Sequence, residues 1–212
     1  MNTRNPWRRR SAFTLIELLT VLAVVGILLA ILLPSLSAAR VASQRAQTKA
    51  RFAQWATAME LFRQEYGHYP VVTRGGKLDA ERFAAALLGR NALGGEPLGE
   101  STGADELAVN VKRLTFYSLE AAEVSHDGAT LVDAFGNSDI AVRVDWSGDG
   151  RIGPEDTLPG EGATWPGVGA VGGVEWAPPP ETMNAGSRVL ARVVFYSPGR
   201  GQSASDLVLS WR

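Results

Sequence analysis

Between Phe13 and Leu33 the chain reads FTLIELLTVLAVVGILLAILL, twenty-one residues with a single charged side chain, Glu17. A helix rises about 1.5 Å per residue, so the run spans roughly 30 Å, the hydrocarbon thickness of a bilayer. An ordinary surface helix buries one stripe and wets the rest, and a run apolar on every face has nothing to offer water. The segment therefore calls for a nonaqueous surrounding on all sides, either lipid or other helices. Glu17 is the anomaly. A carboxylate at membrane depth costs about 2.5–3.5 kcal/mol on insertion scales, so it either snorkels to the interface or meets a partner there.

Charge is distributed unevenly around this run. The first twelve residues hold Arg4, Arg8, Arg9 and Arg10 and no acid, so subtracting their four charges takes the formal net charge from −1 to −5. A basic head on a mildly acidic body reads as a targeting segment on an exported domain. Arg40, Arg45, Lys49 and Arg51 follow the run closely, so the excess of positive charge before it sets orientation only weakly, toward a cytoplasmic N-terminus. The 212 residues suffice for one modest domain plus an anchor. With no cysteine there is no disulfide and no thiolate metal site, and 2 histidines argue against zinc. The overall charge speaks against a nucleic-acid partner.

Helical pattern continues after Pro34, where a kink or local break is expected because proline has no N–H to donate. Phe52, Trp55, Met59, Phe62 and Tyr66 recur at spacings of 3, 4, 3 and 4, one apolar stripe suited to a core. Arg51, Gln54 and Glu65 occupy the other face. Gly67 and Pro70 end the helix. From Phe13 to Tyr66 it measures about 80 Å.

The segment Ser11-Ala12-Phe13-Thr14-Leu15-Ile16-Glu17, with arginines before it and the apolar run after it, resembles the leader of type IV prepilins and type II secretion pseudopilins. The resemblance implies that prepilin peptidase cuts between Ala12 and Phe13 and that the new amine of Phe13 is methylated. The family usually has glycine where Ala12 stands. It further implies a single-pass inner-membrane protein with an exported, periplasmic C-terminal domain, whose helix packs with homologous pilin or pseudopilin subunits in a filament. In that family the glutamate matching Glu17 pairs with the N-terminal amine of a neighbouring subunit, which would give this buried charge its partner. The competing reading is a conventional signal peptide cut after Ala38 or Ala39, but the apolar run is long for one and Glu17 is out of place in it.

Residues 67–212 hold most of the glycine and proline, with short apolar runs between turns. The fold class expected is α+β, a long hydrophobic N-terminal helix packed on a small antiparallel β-sheet domain with long loops. Asp79–Leu88 reads as a short helix capped by Asp79, and Gly94–Ala104 as a loop. Strands are expected at Arg113–Ser118, Ala129–Val132, Ile140–Val144 and Val189–Tyr196. The turn Asp133-Ala134-Phe135-Gly136-Asn137 and the ending from Val194 to Trp211 resemble, in order, the corresponding parts of major pseudopilins. Their C-terminal calcium site is not carried over, since Gly199–Asp206 keeps one acid.

A second segment fits a calcium loop of the EF-hand type. Over Asp145–Asp156, Asp145, Ser147, Asp149 and Asp156 put side-chain oxygens at places one, three, five and twelve, the carbonyl of Arg151 serves the seventh, and Gly150 provides the sharp turn at the sixth. Aspartate at the last place resembles dockerin loops. The alternative is a solvated Asp-Gly turn. Gly167-Val168-Gly169-Ala170-Val171-Gly172 matches a dinucleotide fingerprint, but prolines on both sides leave no helix to receive a pyrophosphate. His68 and His126 lie in turns without a nucleophile motif, so no enzyme activity is expected.

The organisation expected is a leader over 1–12, a membrane or filament-core helix over 13–33, an amphipathic continuation over 34–66, and a β-rich body over 67–212. The function expected is that of a structural filament subunit of the pseudopilus or pilus kind. A membrane-anchored or secreted calcium-dependent adhesion protein is the alternative.

Overall fold

Leu15–Tyr66 form one helix of 52 residues, α1. Leucine, alanine and other good helix formers dominate it, and Gly26 and Pro34 are its only breakers. This computed structural model describes residues 14–97, 110–158, 161–169, 174–183 and 188–212. The helix runs through position 34 without the break expected there. The Ser35 hydroxyl donates to the Leu32 carbonyl at 2.8 Å, one local bond beside the missing proline donor. At the far end the Gly67 N–H donates to Arg63 O at 2.8 Å, closing the helix where Gly67 was expected to stop it.

The chain divides into two compact units, one ending at Ala42 and one running from Ser43 to Arg212. In the first, the described residues are helix apart from Thr14. The second is built on a five-stranded antiparallel sheet in the order β1-β2-β3-β4-β5. The strands are β1 (Thr73–Arg74), β2 (Lys77–Leu78), β3 (Ala141–Val144), β4 (Val193–Ser197) and β5 (Val208–Leu209). Gly75 and Gly76, with φ of +62° and +77°, make the two-residue turn between β1 and β2. The register sets Lys77 opposite Ala141, Val142 opposite Phe195 and Tyr196 opposite Leu209.

Every residue of β3 and β4 is buried, Arg143 and Ser197 included, so both faces of these strands are covered. On one face Val142, Val144, Val193 and Phe195 meet the α1 stripe. Phe52, Trp55, Met59 and Phe62 are each fully buried there, and Tyr66 packs at the edge. Trp55 has Phe52, Phe83 and Phe195 around it at centroid distances of 5.5–5.6 Å. On the other face Tyr196 packs with Trp165 and Trp211, and Val194 with Ile152 and Val189.

A short helix α2 (Ala80–Phe83) continues as a π-helical turn, Ala84–Leu88, so the expected helix is present with a widened last turn. Asp79 caps it, accepting the Arg82 N–H at 3.0 Å. Two expected strands are absent. Arg113–Ser118 is irregular, because Phe116 and Tyr117 both direct their N–H to the one carbonyl of Leu87 and find no strand to pair with. Ala129–Val132 contributes only an isolated bridge, Val124 to Leu131. Val189–Tyr196 is a strand only from Val193, since Val189 bridges to Ile152 instead. Of the loop expected over Gly94–Ala104, residues 98–104 lie outside the described residues. In the rejected glycine motif Val168 pairs with Trp176, and residues 170–172 lie outside the described ones.

Candidate functional site

The apolar part of α1 contains the first group of candidate residues. From Leu15 to Leu36 its large apolar side chains are all at least 44 % exposed, with Leu15 at 82 %. Such a surface is far larger than a soluble monomer leaves bare, and it marks a site of contact with lipid or protein. Among the described residues, α1 is the one helix long and apolar enough to cross a membrane.

Glu17 stands in the first turn of this helix. Its Oε2 accepts the Thr14 N–H at 2.9 Å and the Thr14 hydroxyl at 2.7 Å, while its own N–H donates to Thr14 Oγ1 at 3.3 Å. This is a reciprocal capping box, which satisfies backbone donors that an α-helix leaves open at its start. Thr14 is thus a residue the sequence reading passed over. The signal was present, since Thr14-Leu15-Ile16-Glu17 has the T-x-x-E spacing ahead of an apolar run. Ala12 and Phe13, the expected processing site, lie outside the described residues.

The candidate calcium loop leaves β3 at Asp145. Gly150 takes a φ of +81°, the left-handed turn expected at the sixth place. Asp145 and Asp156 are buried; Ser147, Asp149 and Arg151 are exposed. Asp145 Oδ1 accepts from the Gly148 N–H at 2.6 Å and the Ser147 hydroxyl at 3.1 Å, and Oδ2 accepts the Gly150 N–H at 2.8 Å. Asp156 receives the Ser147 and Gly153 N–H groups, each at 2.9 Å. Asp149 accepts the Arg151 N–H at 2.8 Å, and Arg188 approaches Asp149 at 3.9 Å and Glu155 at 2.8 Å. The oxygens thus turn toward the loop's own donors. Among the described residues no three acids or histidines are gathered as a metal ion would require.

Arg143 of β3 anchors the exit of this loop. It is buried, and it donates to the carbonyls of Asp156 at 3.2 Å and Gly162 at 3.0 Å, and to that of Thr164. Burial pulls its pKa below the usual guanidinium range, and Tyr196, Glu161 and Asp156 pull the other way. Its role is structural, tying Asp156, Gly162 and Thr164 to the sheet.

The turn Asp133–Asn137 is tied down in the same manner. Asp133 Oδ1 accepts the N–H groups of Phe135 and Asn137 at 2.8 Å, and Oδ2 accepts the Ser197 hydroxyl at 2.8 Å. Asn137 Nδ2 donates to Gly199 O at 2.6 Å, and Ala134 N–H donates to Thr48 Oγ1 of α1 at 3.1 Å. The turn therefore joins α1, the end of β4 and the C-terminal segment.

Residues 7–33 match the family model described as the prokaryotic N-terminal methylation motif. No curated protein and no solved structure matches the chain. The match covers Ala12, Phe13 and Glu17 and stops short of the unit that begins at Ser43. The motif is that of prepilin-like proteins, which prepilin peptidase processes and which assemble with other pilin subunits. The apolar helix is compatible with the single-pass membrane anchor of such a protein.

Proposed function

We propose that this chain is a filament subunit of the type II secretion pseudopilus kind, cut between Ala12 and Phe13, methylated at Phe13, held in the inner membrane by α1 and then assembled through it. The observation that carries the reading is the methylation motif over 7–33 on a helix whose large apolar side chains from Leu15 to Leu36 are left exposed by the described residues. The preference for a pseudopilus over a pilus rests on the turn Asp133–Asn137 and the ending Val194–Trp211, which resemble those of major pseudopilins. The work of such a subunit is mechanical and not enzymatic, and its body lies on the periplasmic side. In the capping box Glu17 uses Oε2, and Oε1 has no hydrogen bond among the described residues. That oxygen is available to the methylated amine of a neighbour.

The test is the intact mass and N-terminal residue of the protein taken from membranes. A methylated Phe13 supports the reading. A chain that starts at Met1, or near Ala39, overturns it and moves attention to the anchored or secreted adhesion protein. Glu17→Ala is expected to abolish filaments while leaving the melting of the Ser43–Arg212 unit unchanged.

We also propose that Asp145–Asp156 holds a structural calcium ion through Asp145, Ser147, Asp149, the Arg151 carbonyl and Asp156. Support comes from the spacing of the oxygens and from the left-handed Gly150. Binding would draw Asp149 away from Arg188 and turn the buried carboxylates from backbone N–H groups to the ion. Calcium titration should release or absorb heat and raise the melting temperature. If both stay flat, the ion assignment fails.

A further inference from the structure

Among the described residues, the acids of the Asp145–Asp156 loop pair with one side-chain cation, and it comes from outside the loop. Arg188 Nη2 stands 2.8 Å from Glu155 Oε1, and Nη1 stands 3.9 Å from Asp149 Oδ2. A single guanidinium thus bridges places five and eleven of the loop. Asp149 Oδ1 accepts the Arg151 N–H at 2.8 Å, so Oδ2 is the oxygen left to meet a cation, and it is the one that Arg188 faces. Deeper in the loop, Asp145 and Asp156 are 4 % and 0 % exposed, and neither has an ion pair among the described residues. Arg143, the buried cation nearby, donates to the Asp156 carbonyl and not to its carboxylate. The N–H groups that bond these two acids orient them without cancelling their charge. Buried anions of this kind call for a cation. Arg188 meets only the exposed acids at the rim.

The fold keeps Arg188 beside the loop. Its neighbour Val189 exchanges main-chain hydrogen bonds with Ile152, at 2.8 and 2.9 Å, and Ile152, at the eighth place, is fully buried. Such a tether holds the guanidinium at high effective concentration next to Asp149. The side chain itself is 38 % exposed, so it can leave the carboxylates without unpacking a core. It also borders a groove of about 310 Å³ lined by Glu181, Met183, Leu190 and Arg212, which gives it room to move. A guanidinium keeps its charge at any pH the fold tolerates, so it competes with an incoming cation as a fixed charge. We propose that Arg188 is the resident counter-cation of the loop. It neutralises Asp149 and Glu155 until calcium displaces it, and it thereby sets the calcium concentration at which the loop fills. The inference rests on the calcium reading above.

Calcium chloride is titrated calorimetrically into the full detergent-solubilised chain at low salt. Arg188→Gln should bind calcium about fivefold more tightly than wild type, and Arg188→Lys, which keeps the charge, should stay within about twofold of it. Without calcium, Arg188→Gln should melt about 2 °C below wild type, because Asp149 and Glu155 lose their partner. The two changes have opposite signs, whereas the loss of a merely structural arginine would weaken both folding and binding. In the wild type, calcium should also speed the reaction of Arg188 with phenylglyoxal several-fold, read by mass spectrometry, as the guanidinium comes away from its carboxylates. If neither the wild type nor Arg188→Gln takes up calcium, the calcium reading itself has failed. If both bind calcium equally well, or the variant binds it more weakly, the Arg188 proposal is overturned. It is equally overturned if calcium binds and the labelling rate of Arg188 does not change.

Discussion

From Leu15 to Leu36, α1 leaves its large apolar side chains at least 44 % exposed, while between Phe52 and Phe62 the same helix buries Phe52, Trp55, Met59 and Phe62 completely. The exposed part is the more apolar of the two. Burial within a chain is therefore set by pattern and not by apolarity. A stripe at spacings of three and four gives a helix one face to bury and others to wet, and a sheet can cover one face. A helix apolar all round needs cover on every side, and a single small domain cannot supply it. The first part is built for contacts outside the chain and the second for contacts within it.

Equal truncations in the two parts should give very unequal results. Trp55→Ala removes an indole ringed by three aromatic side chains and should destabilise the Ser43–Arg212 unit by about 3–5 kcal/mol. Leu22→Ala removes a side chain that is 62 % exposed, and should leave that unit within about 0.5 kcal/mol of wild type. Denaturant unfolding of the detergent-solubilised chain, followed by the fluorescence of the remaining tryptophans, measures both. A large effect of Leu22→Ala would mean that the first part is supported by the second after all.

Asp133→Ala should rank next, at about 3 kcal/mol, because it leaves two turn N–H groups and the buried Ser197 hydroxyl without their charged acceptor. The same denaturation curves report it. The effect belongs to the second part of the helix alone, since Thr48 of α1 accepts the Ala134 N–H and so shares the turn's position.

What could be read from the sequence follows from the same distinction between local pattern and distant partners. The stripe of α1, its stop at Gly67, the Asp79 cap and most of β3 and β4 all announce themselves within a few residues. The two-residue strands of the 73–78 hairpin are too short to show a period, although Gly75-Gly76 between them was a turn signal. Phe116 and Tyr117 look like strand residues, but a strand exists only where another chain segment offers its donors and acceptors. Arg143 within Ala-Val-Arg-Val suggests a wet face, and it is buried only because the carbonyls of a loop far along the chain close over it. The oxygens of Asp145–Asp156 have readable spacing, but Arg188 and the loop's own N–H groups decide where they point. The methylation motif over 7–33 was legible, and so was the T-x-x-E spacing behind the capping box of Thr14 and Glu17.

Alkaline pH separates the two parts without any mutation. Tyr69, Tyr117 and Tyr196 all lie in the Ser43–Arg212 unit, so their titration reports on that unit alone. Burial raises the pKa of Tyr196 well above 10; burial and then the hydrogen bonds to Glu60 and Glu123 do the same for Tyr69 and Tyr117. A raised pKa means that the folded state keeps a proton which the unfolded chain gives up. Stability is therefore unaffected below about pH 10 and falls as the pH rises through the folded values, by about 1.4 kcal/mol per pH unit for each such tyrosine. The tyrosinate absorbance of Tyr69, Tyr117 and Tyr196 should rise together with unfolding of the unit, not ahead of it. Independent titration of Tyr196 in the folded protein would contradict its complete burial.

The smallest expected difference is between two helix caps. Asp79 holds the Arg82 N–H at 3.0 Å at the start of α2, and Phe83 and Leu87 of that short helix are fully buried in the core. Fraying there pulls on the core, so Asp79→Ala should cost the unit about 1 kcal/mol. Its ion pair with Arg74, at 2.9 Å, adds little because Arg74 is largely exposed. Thr14 makes a more complete cap, bonded to Glu17 in both directions. Yet the turn it closes is exposed, and it lies in the unit that ends at Ala42. Thr14→Ala should therefore leave the unfolding of the Ser43–Arg212 unit within about 0.5 kcal/mol, although it breaks more hydrogen bonds than Asp79→Ala does at its own cap. The two variants are compared by the same denaturation measurement. If Thr14→Ala cost as much as Asp79→Ala, the whole of α1 would have to unfold as one cooperative piece with the sheet, and the division of the helix into an outward-facing and an inward-facing part would fail.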